Sequence, residues 1–120
     1  MMVVVAEFRA EPEKLRLSCK VEGHAGTAPK GEDLVCAAVT AYLTQLAQLT
    51  EYMHAEGGKL KDKPKVELHE GVGEVSCRAT PGGWAELLHC FFCVEVGYHL
   101  LARNHPDAVR LIPFTIPAEG

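Results

Sequence analysis

The chain has 120 residues, 48% hydrophobic and 23% charged, enough to build one core without metals or disulfides but too short for separate catalytic and binding domains. Sixteen acidic and 12 basic residues give a net charge of -4 with no basic block, which argues against direct nucleic-acid binding and suits a basic protein partner. The first apolar run, Val3-Val4-Val5, has no positive flank and is cut by Glu7, so no export signal is expected, and the five cysteines read as reduced thiols of a cytoplasmic protein. No unbroken run approaches the roughly 18 apolar residues that cross a bilayer.

Residues 3 to 9 predict a strand, and after the turn at Glu11-Pro12-Glu13 the residues Leu15, Leu17, Cys19 and Val21 alternate with polar neighbours, the period of a strand buried on one face. Together they predict a hairpin. Residues 23 to 32 hold three glycines and Pro29 and predict a loop. Asp33 then stands as an N-cap before Val35, Val39, Tyr42, Leu46, Leu49 and Met53, whose steps of four and three predict a helix ended by Gly57-Gly58.

Beyond a connector carrying Lys59, Lys61, Lys63 and Lys65, a second hairpin is predicted from Val66 and Leu68 on one strand and Val75, Cys77 and Ala79 on the other, joined at Gly71-Val72-Gly73. A second helix should run from Trp84 to Asn104, stopped by Pro106, with Val109 to Ile116 as a further edge strand carrying Pro113. The expected fold is α+β, one domain over residues 1–120: a two-layer ββαββα sandwich, its antiparallel or mixed sheet covered on one face by two helices. The second helix is apolar nearly all round, more than one sheet can cover, which suggests a two-fold homodimer; the alternative is a helix wedged under loops.

The candidate chemistry centres on Cys36, three residues after Asp33 in the first helical turn, where unpaired N–H groups and the helix dipole favour an anion. An unperturbed thiol is only about 3% ionised at pH 7, and a helix terminus contributes roughly 0.3–1 kcal/mol, less than one pKa unit. An imidazole that accepts the thiol proton would supply the rest, and His24, at the start of the Gly-rich loop, is the candidate, provided that the loop folds back. Packing of Cys36 as a small core residue is the competing reading. Asp33 has two possible roles: capping the helix, or orienting His24 as a third member.

Other signals are weaker. His89-Cys90-Phe91-Phe92-Cys93 has the CxxC spacing of zinc or redox sites, but its cysteines fall inside an apolar helix and no second pair completes four ligands, so no metal or cofactor is expected. Cys19 and Cys77 read as inward-facing core residues, and His54, His69, His99 and His105 as surface residues without ligand spacing. Lys30 lacks the order of a phosphate-binding loop.

The segment Gly23-His24-Ala25, followed by Gly31-x-Asp33-Leu34-Val35-Cys36-Ala37-Ala38-Val39-Thr40, resembles the hallmark of the ribosomal-processing cysteine protease family Prp. The resemblance implies a homodimeric endopeptidase of certain low-GC Gram-positive and related bacteria. Its substrate would be the precursor of large-subunit ribosomal protein L-twenty-seven, from which it removes an N-terminal extension by cutting after paired aromatic residues. It also implies that Cys36 is the nucleophile and His24 the general base, with Gly23, Gly31, Asp33 and Thr40 in support. Two positions depart from the family's usual pattern: Thr27 stands where an aromatic residue is frequent, and Thr40 where serine is frequent. Thr40 keeps a hydroxyl one turn from the thiol, free to bond near it or back to its own helix. The alternative function is a non-catalytic ribosome-assembly module of the same fold; a third is a redox or zinc regulator built on Cys90 and Cys93.

Overall fold

The structure, a computed structural model, describes residues 3–23, 34–69 and 71–114. Strand β1 (Val4–Glu11) turns through a short 3-10 segment at Pro12–Lys14 into β2 (Arg16–Glu22), helix α1 spans Leu34–Glu56, β3 (Lys65–His69) and β4 (Val72–Arg78) form a second hairpin, and helix α2 (Trp84–Asn104) leads to β5 (Val109–Ile112). The five strands form one sheet in the order β3-β4-β2-β1-β5, antiparallel except where β5 runs parallel to β1. The two predicted hairpins therefore join through their inner strands. β5 is the predicted edge strand, but it stops at Ile112, one residue before Pro113, which cannot donate to a ladder.

Alternation decides which sheet face is covered. Val4, Ala6 and Phe8 of β1, Leu17, Cys19 and Val21 of β2, and Val75 and Cys77 of β4 point to one side and are buried there. Val39, Leu43, Leu46 and Met53 of α1 and Leu87, Phe91, Val94 and Tyr98 of α2 cover them. The other face carries Glu7, Arg9, Ser18, Lys20, Glu22 and Glu74 and is left to water, as one side of an antiparallel sheet can be. At the helix contact, a Cβ on Gly97 of α2 would lie 2.7 Å from the ring of Tyr42, so glycine lets that ring lie against the α2 backbone. Tyr42 in turn packs edge-on to Tyr98, with ring centroids 5.6 Å apart.

α2 is long and apolar enough by composition to cross a membrane, although no unbroken apolar run marks it in the sequence. In this fold its Leu87, Phe91, Val94 and Tyr98 belong to the core. Phe92, Val96 and Leu100 lie outward and are 54%, 42% and 46% exposed, so the apolar excess read from the sequence is a surface stripe that the sheet does not cover.

Three buried acids make stability depend on alkaline pH. Burial raises the thiol of Cys19, pushes that of Cys77 up to about 12, and raises the phenol of Tyr98, whose hydroxyl donates to the Val39 carbonyl at 2.7 Å. Unfolded, these groups release protons near their ordinary values while the folded chain retains them, so raising the pH favours unfolding. The contribution is intact below about pH 9 and for Cys77 is lost as the pH climbs toward about 12. Each group costs about 1.4 kcal/mol per pH unit in that window. Melting temperature should be level from pH 7 to 8.5 and fall steeply above pH 9; a level profile to pH 11 would contradict the assignment.

Candidate active site

Cys36 is the third residue of α1 and half-buried. It stands three residues before Val39 and seven before Leu43, at the amino-terminal end of the helix's buried stripe, where the stripe runs out over the end of the sheet. There it lines a cleft of about 160 Å³ with Val39, Thr40 and Leu43 of α1, Val4 and Val21 of the central strands, Gly23, and Leu68, His69, Gly71, Val72 and Gly73 of the second hairpin. Gly73 pairs with Val21 across the sheet, and a Cβ there would lie 2.3 Å from the Leu43 side chain. Leu43 thus settles onto bare backbone and forms the cleft floor.

The opposite wall begins at Gly23. Its φ is +93°, a Cβ would lie 2.6 Å from the Val3 carbonyl oxygen, and its N–H donates to the Gly71 carbonyl at 2.8 Å. The chain therefore leaves β2 at a fixed point on the same cleft as Cys36, one residue before His24. His24, Gly31 and Asp33 lie outside the described residues. Of the supporting residues predicted, Gly23 and Thr40 both line the cleft.

Three wall residues were not singled out in the sequence. Leu68, expected to face the core by alternation, is 51% exposed at the end of the edge strand β3. Val72 also borders the cleft and is 39% exposed, but it pairs with His69 and so projects to the opposite sheet face from Leu68, which pairs with Gly73. His69, read as an ordinary surface residue, also lines the cleft, with its Nε2 3.9 Å from Glu67 Oε2.

The remaining cysteines separate clearly. Cys19 and Cys77 are buried core thiols, as predicted. Cys90 packs against the core, and burial first, then the Glu86 carboxylate, raises its pKa. Cys93 faces outward. No group of three or more His, Cys, Asp or Glu side chains that could hold a metal occurs among the described residues.

The sequence model of the family described as cysteine protease Prp matches residues 2–107. This chain belongs to that family. Its fold is similar to that of the ribosomal processing protease Prp from S. aureus in complex with a substrate peptide, at 16% identity and a TM-score of 0.65, covering 94% of this chain and 100% of the other. The S. aureus protease with a covalently linked product peptide gives 16% identity, a TM-score of 0.66 and the same coverage. SMU.848 from Streptococcus mutans gives 23% identity and a TM-score of 0.65, covering 94% of this chain and 96% of that one. Among curated proteins none matches. The two-layer α+β architecture read from the sequence is that of these Prp structures.

Proposed function

We propose that this Prp-family protease is a cytoplasmic, homodimeric cysteine endopeptidase that removes the N-terminal extension of ribosomal protein L-twenty-seven, with Cys36 as nucleophile and His24 as general base. The observation that carries the proposal is the cleft that places Cys36, in the first turn of α1, beside Gly23, the residue preceding His24. The Cys36 sulfur attacks the scissile carbonyl and its proton passes to His24; the tetrahedral oxyanion is met by N–H groups of the first helical turn, which have no intrahelical acceptor. His24 then protonates the leaving amine, an acyl-enzyme remains, and a water deprotonated by His24 releases the acid product. In this reading Asp33, the residue before α1, serves either as its N-cap, fixing the turn that carries Cys36, or as the group that orients His24. The exposed stripe Phe92, Val96 and Leu100 supports association of two copies.

Mass spectrometry of the host's L-twenty-seven precursor, incubated with the protein, tests this directly. One N-terminal cut is expected. An intact precursor would leave the non-catalytic assembly module as the reading to pursue.

The exposed Leu68 at the cleft suits the aromatic side chains that the family's substrates are expected to present. Leu68→Asp, at an exposed site, should leave the fold intact and raise KM by about tenfold or more with kcat within about twofold, the pattern of lost substrate binding. Steady-state kinetics on a fluorogenic peptide would read it. Thiol mapping gives a further expectation: at neutral pH iodoacetamide should label Cys36 first and the exposed Cys93 more slowly. Cys19 and Cys77, buried in the core, should react only on unfolding, and half-buried Cys90, whose pKa burial and then Glu86 raise, more slowly than Cys36. Faster labelling of Cys93 than of Cys36 would count against an activated Cys36.

A further inference from the structure

Outside the cleft, one pair of reactive side chains is already in contact. On the outward side of α2, Cys93 Sγ lies 3.6 Å from His89 Nε2, one helical turn away, and both residues are exposed. A zinc ion holding a thiolate at about 2.3 Å and an imidazole nitrogen at about 2.0–2.1 Å with a tetrahedral angle requires the two donors about 3.5–3.6 Å apart. The pair therefore stands at chelating distance. Cys90, the other cysteine of the CxxC spacing, is turned toward the core and is not part of it.

Two ligands do not make a structural zinc site, and none of three or more ligands occurs within the described residues of one chain. The same helix face continues into exposed Phe92, Val96 and Leu100, apolar surface that one chain leaves uncovered. A two-fold axis passing between residues 89 and 93 of two antiparallel α2 helices would set His89 of each copy opposite Cys93 of the other, with Phe92 and Val96 flanking the contact. We propose that His89 and Cys93 are half of an intersubunit zinc site, a two-histidine, two-cysteine tetrahedron completed by the same pair of a second copy. Binding replaces each thiol proton with a zinc–sulfur bond, so two protons leave per metal and no redox change occurs. The inference rests on the two-fold association proposed above and not on proteolysis, so failure of one does not decide the other.

Cobalt(II) is the probe for geometry and zinc for association. Cobalt titration into the full chain is expected to saturate at one metal per two chains, with the intense visible ligand-field bands of a tetrahedral ion and a thiolate charge-transfer band in the near ultraviolet. Zinc should tighten self-association in sedimentation velocity roughly tenfold or more, because it binds the dimer and not the monomer. Cys93→Ser and His89→Ala, both at exposed positions, should each abolish the bands and the zinc effect with the melting temperature unchanged, whereas Cys36→Ser should keep both. Saturation at one metal per chain, weak octahedral bands, bands retained in Cys93→Ser, or a dimer that binds neither metal would each overturn the site. Loss of the bands in Cys36→Ser alone would move the metal to the proteolytic cleft and overturn it equally.

Discussion

Cys36→Ala is expected to lower kcat/KM for precursor trimming by at least about 10³-fold, and His24→Ala by a similar factor, with the double variant little worse than either single one. The non-additivity follows from the roles: without the thiol there is no acyl-enzyme for the imidazole to serve, and without the imidazole the thiol proton has no acceptor. Cys36 is half-buried at the rim of a cleft and not in the packed centre, so its loss should shift the melting temperature by no more than a few degrees. His69→Ala is the informative control, because His69 is a described histidine bordering the same cleft and its Nε2 lies 3.9 Å from Glu67 Oε2 on the exposed edge strand. Its turnover should stay within a few-fold of wild type. A His69→Ala variant as inactive as Cys36→Ala, beside an active His24→Ala, would reassign the base.

Much of this was legible in the sequence because the local signals agree. Alternation at Leu17, Cys19 and Val21 identified a one-sided strand, and the steps of three and four identified α1, with Val39, Leu46 and Met53 buried as read but Leu43, Ala47 and Thr50 buried in place of half-buried Tyr42 and Leu49. The strand order was not legible. Pairing of β2 with β4 and of β1 with β5 is chosen by which edges remain open once the helices cover one face, a long-range outcome with no sequence period of its own. The same limit explains the cleft wall. Leu68 follows the inward alternation of its strand, yet the strand lies at the sheet edge and the residue lines an opening. Cys36 and His24 were legible as types at a suggestive spacing, and the roles given to them are those of the proposal above. What the sequence alone could not supply is the shared cleft on which Gly23 and Cys36 meet.

Gly23→Val should weaken catalysis far more than it weakens the fold. Glycine at this position has φ +93°, where a β-branched residue is strained by about 1–3 kcal/mol, and a Cβ would press on the Val3 carbonyl at 2.6 Å. Relief requires residue 23 to move away from β1. That movement breaks its N–H bond to the Gly71 carbonyl, worth roughly 0.5–1.5 kcal/mol. Both effects fall at the open end of the sheet, away from the packed centre around Leu17, Leu46 and Phe91, so the melting temperature should drop by several degrees with a cooperative transition preserved. The adjoining residue is His24, and a displacement of about 1 Å between a nucleophile and its base can cost about 10²-fold in rate. Peptide turnover should therefore fall by about that factor in kcat with KM changed much less, since Leu68 lies on the other hairpin, on β3. Cys36 alkylation should slow in parallel if His24 is the base proposed above. If Gly23→Val alkylates and cleaves at the wild-type rate despite a lower melting temperature, then the exit of β2 does not position the base, and His24 is not the residue that activates Cys36.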